Sequence, residues 1–289
     1  MRLRHVLNIG LVLLSLVPCP SFAGSVTLHP ELEESDGNDM VETWVDASYR
    51  YHALAVSRWL HAAEGAETMT RADFDRFARP YLTGTFLTAR YTWVDERTGA
   101  AHSRMYHAAS GPEQPWVPGT VSPPGSAFVS YFESSQGLVH ATLGSDEGSS
   151  VIHTSLPGER NPDTHRADAE IRMLRSLERD MRDATAGRRG RLDIYVSTKV
   201  CDSCEIAIQR FAADRDVDIH IRALSRDPES DIRRAFKRRR KELIDNLQCD
   251  LALRNVPSST RSGSSSPEPF DDSSRSAAFA AGCSGLSVY

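Results

Sequence analysis

The stretch from Asp168 to Cys204 decides how this chain is read. It opens with Asp168-Ala169-Glu170 at the head of an amphipathic helix and continues with Leu192-Asp193-Ile194-Tyr195-Val196-Ser197-Thr198 as a strand. It closes with Cys201-Asp202-Ser203-Cys204 at the start of a second helix. A Cys-x-x-Cys at a strand-to-helix turn sits among free backbone amides and at the positive end of a helix dipole. Both lower a thiol's pKa, so both cysteines are expected to tend toward thiolate. Three uses compete for such a pair: metal ligation with a further donor nearby, a redox couple, and a static disulfide that locks the turn.

The acids upstream bear on that choice. In a first helical turn Asp168 and Glu170 project at different angles, so one can hold a metal while the other stays free to move protons. Taken alone, two acids at a helix start need do no more than complement the dipole. One strand ahead of a Cys-x-x-Cys, they favour a site. His165, one turn earlier, is the rival ligand, and spacing favours Asp168, two residues before Glu170.

Outward from this stretch the chain becomes regular. Thr164 can cap a helix that runs to about Met181, with Ile171, Leu174, Leu177 and Met181 as its buried stripe. Glycines at 187 and 190 break it. A strand over 192–198, a helix over 201–213, a strand over 217–223 and a helix over 228–253 follow. Strand and helix alternating at this spacing imply parallel neighbours in a layered α/β domain.

Upstream, Trp44, Val45, Tyr49, Val56, Trp59 and Leu60 recur at mostly three- and four-residue spacing, which predicts a helix from 41 to about 65. Thr70 with Asp73 marks another helix start, with Phe74, Phe77 and Tyr81 on one side. Residues 85–94 and 102–108 read as a hairpin through the turn at 95–99. A Pro/Gly-rich loop over 111–125 and a second hairpin from 128–132 and 138–143 follow.

Both ends read differently. Arg2, Arg4 and His5 precede an apolar run over 6–17 that is too short to cross a bilayer, and Ser21-Phe22-Ala23 supplies a cleavage site. A signal peptide over 1–23 is expected, and with it a secreted or periplasmic protein with no later membrane span. The expected organisation continues with a flexible lead-in and N-terminal helix over 24–66 and an α/β domain over 67–255, whose motif core is 164–255. A disordered tail rich in Ser, Pro and Gly occupies 256–289. Of five cysteines, Cys19 falls in the leader; Cys201, Cys204, Cys249 and Cys283 remain, too few for a disulfide framework in a chain this long.

The net charge of -5 gives no global sign of nucleic-acid binding, but its distribution does. Arg233, Arg234, Lys237, Arg238, Arg239, Arg240 and Lys241 crowd one helix, and Arg188, Arg189 and Arg191 precede the central strand. Clustered cations release counterions from a nucleic-acid backbone, so the helix is expected to present a phosphate-binding face. A solvated face is the blander use of the same residues.

Arg166-Ala167-Asp168-Ala169-Glu170, the Ile/Leu-rich helix after it, the strand, Cys201-Asp202-Ser203-Cys204 and Gln209-Arg210-Phe211 together resemble the toxin deaminases of bacterial polymorphic toxin systems. These belong to the cytidine-deaminase-like superfamily. The resemblance implies a cytidine-deaminase-like layered α/β/α domain with a mixed central sheet, preceded by a helical segment. It implies Zn2+ held by Asp168, Cys201 and Cys204, with Glu170 as the proton-shuttling catalytic residue. It further implies hydrolytic deamination of a base, cytosine first, in nucleic acid or a nucleotide, and a possible cognate immunity protein as partner. The chain departs from the superfamily pattern at two positions: Asp168 stands where His or Cys is usual, and Val200 where a proline precedes the first cysteine.

Two other functions are kept beside this one. The first is an exported thiol–disulfide protein of the thioredoxin-like kind using Cys201 and Cys204. It is disfavoured because no aromatic residue directly precedes Cys201, and the only later Val-Pro step is Val256-Pro257. The second is a non-catalytic zinc-binding module.

Overall fold

In the computed structural model the described residues are 24–30, 38–63, 69–112, 138–141, 150, 152, 165–224 and 227–254. The expected leader, the tail, the strand over 128–132 and the capping Thr164 lie outside them. The elements run β1 (Val26–Leu28), α1 (Asn38–Ala62), α2 (Arg71–Thr83), β2 (Phe86–Val94), β3 (Ala101–Ala109) and β4 (Leu138–His140). They continue with α3 (Ala169–Arg182), β5 (Arg191–Val196), α4 (Asp202–Arg215), β6 (Asp218–Ala223) and α5 (Asp231–Arg254). The strands form one sheet in the order β1-β6-β5-β2-β3-β4. β1, β6 and β5 are parallel, β2 is antiparallel to both β5 and β3, and β4 is parallel to β3. This is a layered α/β fold with a mixed sheet.

The pleat explains the layers. Leu87, Ala89 and Tyr91 on β2 lie opposite Val196, Ile194 and Leu192 on β5, and Ile219 and Ile221 on β6 extend the row. That face packs on Ile171, Leu174 and Leu177 of α3 and on Ala207, Ile208 and Phe211 of α4. Each such buried side chain contributes about 1.5–3 kcal/mol relative to exposure. On the other face, Tyr49 of α1 packs on Phe86 and Ala109, and Val45 packs on Tyr195 with Ile232 of α5. α2 leans on this layer through Phe74 and Phe77, which meet Val56, Trp59, Ile244 and Leu247.

The hairpin turn forms for local reasons. The Asp95 carboxylate accepts the amides of Arg97 and Thr98 at 2.8 Å each, and Gly99 takes a φ of 70°. Only glycine adopts that left-handed conformation without cost.

Two elements differ from expectation, while the strand expected over 138–143 is seen as β4. The supposed lead-in contains β1, because Ser25-Val26-Thr27-Leu28 finds an open edge on β6. Ile219 N donates to Ser25 O at 2.8 Å, His29 N donates to Ile221 O at 2.9 Å, and the Asp218 carboxylate accepts the Ser25 hydroxyl at 2.9 Å. α1 is seated on β2, β3 and β5. β4 lies beside β3 as a parallel edge strand. Finally, α3 is buried on its polar side as well as along its stripe. Arg172 donates to the carbonyls of Ala109 and Gly111, Asp180 accepts the Tyr106 hydroxyl at 2.7 Å, and Glu178 pairs with Arg215 at 2.7 Å.

Candidate metal centre

Two helix starts meet at the end of the sheet where β5 stops. Asp168 is the residue that caps α3, extended at φ -71° and ψ 142°, so it precedes the first helical turn. A capping aspartate ordinarily accepts an amide of the first turn with its side chain. Asp168 makes no such bond. Its Oδ2 instead lies 2.9 Å from His165 Nδ1, 3.3 Å from Cys204 Sγ and 3.7 Å from Cys201 Sγ. Cys201 Sγ and His165 Nδ1 are 4.0 Å apart.

Cys201 in turn caps α4, and its sulfur accepts the Cys204 amide at 3.2 Å and contacts the Ser203 hydroxyl at 3.1 Å. The backbone holds these parts together. Gly111 N donates to Ala167 O at 3.1 Å, tying the exit of β3 to the turn before Asp168. Thr85 and Thr198 join hydroxyls at 3.0 Å across the strand ends.

The two thiols differ in their surroundings. The Cys204 thiol hydrogen bond, helped by the Ser203 hydroxyl and the Cys204 amide, brings Cys201 down to about 6. Cys204, donating that bond and buried, is pushed up. Both are free thiols, while Cys249 is disulfide-bonded. Glu170, 4% exposed, is raised to about 7 by burial, with the charges of Asp168 and Cys201 adding to it.

His165, Asp168 and Cys201 have donor atoms all within 4.8 Å of one another, a set that could hold a metal ion. Cys204 reaches the same Asp168 oxygen. The donor chemistry fits a cation. A carboxylate oxygen against two sulfurs is repulsive once the thiols ionise, and a bound dication reverses the sign of every one of those contacts. Carboxylate, imidazole and thiolate are all zinc ligands. Spacing alone groups Asp168, Cys201 and Cys204 and sets His165 as a rival, whereas the fold brings His165, Asp168 and Cys201 together and places Cys204 against the same Asp168 oxygen.

The basic run is dispersed. Arg240 is only 7% exposed and cannot face a phosphate backbone. Its guanidinium donates to the carbonyls of Tyr81 and Gly84 at 3.0 Å each and lies over the Tyr49, Phe86 and Phe236 rings. This corrects the expectation for Arg240: the i, i+3, i+4 rows of α5 turn this position toward α1 and β2. Arg239 pairs with Asp46 at 3.0 Å, Lys241 with Asp245 at 2.5 Å, and Arg234 with Glu229 and Asp231. Lys237 and Arg238 are exposed.

No helix among the described residues is long and apolar enough to cross a membrane. Compared with family models, curated proteins and solved structures, the chain matches none.

Proposed function

We propose that the chain is a zinc-dependent hydrolase that removes the amino group of a nucleobase, related to the toxin deaminases it resembles. The observation that carries this reading is the convergence of Asp168 Oδ2 with Cys201 Sγ and Cys204 Sγ, with the buried Glu170 carboxyl two residues beyond the aspartate. Asp168, Cys201 and Cys204 would hold the ion. When bound, zinc would supply Lewis acidity and make a water nucleophilic near neutral pH.

The chain's own part falls to Glu170. Hydrolytic deamination adds water across an amidine carbon–nitrogen bond and expels ammonia, leaving a carbonyl. One carboxylate can take the proton from the entering water and deliver it to the departing nitrogen. A carboxyl enclosed in the protein holds that proton without exchanging it with solvent. Its neighbours Asp168 and Cys201 are occupied as ligands, which leaves Glu170 free for this work. Cytosine, in a nucleotide or a nucleic-acid strand, is the proposed base.

The reading is tested by incubating the zinc-loaded chain with cytidine, with CMP and with a single-stranded oligonucleotide. Ammonia would be assayed and the strand sequenced. Release of ammonia with C-to-U conversion supports it, and its absence from all three substrates, and from the adenine counterparts, rejects it.

One observation favours a second reading. A lowered Cys201 thiol beside a buried, raised Cys204 is the asymmetry a thiol–disulfide couple uses. Asp168 counts against it, since a carboxylate 3.7 Å from the attacking sulfur opposes thiolate formation.

A further inference from the structure

A second cluster of charge lies on the α1 face of the sheet, toward the start of β5. Register puts Asp193 of β5 opposite Arg90 of β2 and His220 of β6, with Arg191 and Arg222 close by on the same face. The buried Asp193 carboxylate belongs to Arg191, whose Nε donates to it at 3.2 Å and whose Nη2 donates at 2.9 Å. Arg90 and Arg222 stand off from it at 3.8 and 3.6 Å, beyond hydrogen-bond length. Each lies over a ring instead, Arg90 over Trp44 and Arg222 over Tyr195, at 5.6 Å in both cases. The two rings stack on one another at 5.5 Å, and Arg222 Nη1 is a buried donor with no hydrogen-bond acceptor. One carboxylate therefore faces three guanidinium groups, and like charges on neighbouring strands repel. His29 registers the excess: burial first, then Arg222, His220 and Arg191, lower its pKa, with Asp193 opposing them.

We propose that this face binds the phosphate of a phosphate ester through Arg90 and Arg222, with a neighbouring cavity for the rest of the ligand. The Arg90 and Arg191 side chains are 44% and 51% exposed, so the cluster is open to solvent. A planar guanidinium fork matches two phosphate oxygens, and the rings beneath Arg90 and Arg222 hold those forks before the ligand arrives. The anion also relieves the repulsion among three cations. Arg90 and Arg191 line a cavity of about 880 Å³ together with Thr92, Ser103, Arg189 and Asp218, a size that suits a nucleoside. The acids at its rim are engaged: Asp218 accepts the Ser25 hydroxyl at 2.9 Å, and Asp216 pairs with Arg189 at 3.3 Å. The ester is a nucleotide, free or as a link in a single strand. Only that nucleotide character rests on the deaminase reading; the anion site stands apart from the metal centre. Arg191 opens the six-residue β5, and the centre lies past its far end, roughly 20 Å away at about 3.3 Å per residue. One nucleotide does not fill both places, whereas a strand does.

Fluorescence anisotropy of a labelled single-stranded oligonucleotide on the full chain, with CMP and inorganic phosphate as competitors, tests this. Arg90→Gln and Arg222→Gln are each expected to weaken binding by about tenfold and to lower the log–log salt slope by about one unit. Arg90→Lys keeps the charge and should keep the slope. The Lys237→Gln, Arg238→Gln double variant on α5 should bind as the wild type does. Circular dichroism and zinc content check that fold and metal centre are unchanged in each variant. Displacement of the strand by CMP assigns the site to free nucleotides, and displacement by unlabelled strand alone assigns it to a polymer; both support the phosphate site. A wild-type chain that binds neither strand nor CMP overturns it, as do Arg90→Gln and Arg222→Gln variants that bind like the wild type. The readout is binding and not turnover, so the two proposals fail separately. Binding through these arginines without ammonia release removes the deaminase reading alone, and ammonia release with binding untouched in both variants removes the phosphate site alone.

Discussion

The guanidinium of Arg240 lies over the Tyr49 ring at 5.6 Å, and the Tyr49 hydroxyl donates to the Arg240 carbonyl at 2.9 Å. The densest run of positive charge in the sequence is therefore threaded through the protein interior at Arg240, where it joins α5 to α1 and to the end of α2.

Arg240→Gln is expected to destabilise the fold by about 2–4 kcal/mol, because it strands the Tyr81 and Gly84 carbonyls and empties the space between three rings. Lys237→Gln and Arg238→Gln, both exposed, should each change stability by less than about 0.5 kcal/mol. Chemical denaturation of the three variants separates the outcomes. Equal effects would mean that α5 is not anchored through Arg240.

Removing one sulfur should cost both metal and fold. Cys201→Ser and Cys204→Ser are expected to lose zinc to a chelator far more readily than the wild type, and to melt earlier when zinc is present, because metal binding is folding energy. Adding chelator should lower the wild-type melting temperature to that of the variants. Melting that is indifferent to chelator in all three proteins would rule out a metal coupled to this fold.

Glu170→Gln preserves shape and removes the proton carrier. It should keep zinc and the wild-type fold while ammonia release falls by at least about a hundredfold. Retained turnover would assign the proton transfer to another group.

A second buried titratable residue gives a pH signature away from the site. His107 lies under α1, its Nδ1 3.1 Å from the Thr88 hydroxyl and its ring 4.9 Å from Tyr51, and burial lowers its pKa from 6.5 to about 4. The unfolded chain therefore binds a proton that the folded chain refuses between those two values. Stability contributed by neutral His107 is fully present above about pH 6.5 and declines as the pH falls toward 4, by roughly 3 kcal/mol in all. Read from melting curves, the stability of the wild type relative to His107→Gln should fall as the pH drops through this window. Parallel curves would show that His107 does not titrate as its burial requires.

Much of the fold and of the site is legible in the order of the amino acids. The Asp-x-Glu and Cys-x-x-Cys spacings locate both helix starts of the site, and strand-helix alternation predicts the parallel β5-β6 pair, because those signals are local. What escapes such a reading is set by distant neighbours. Only three residues long, β1 is stabilised by an edge that β6 offers, about 190 positions later. The polar side of α3 reads as solvent-facing until Tyr106, Arg104 and Arg215 arrive from other elements. His165 and Asp168 read as alternatives because a short run of sequence cannot show that a turn points both side chains at the same sulfur.

The most direct test of the central claim is the metal content of the purified full chain, measured together with the accessibility of its thiols to alkylation. The account predicts one tightly bound zinc per chain, with Cys201 and Cys204 reduced and protected until a chelator removes the metal. A metal-free chain that takes up no zinc and carries a Cys201–Cys204 disulfide would contradict it.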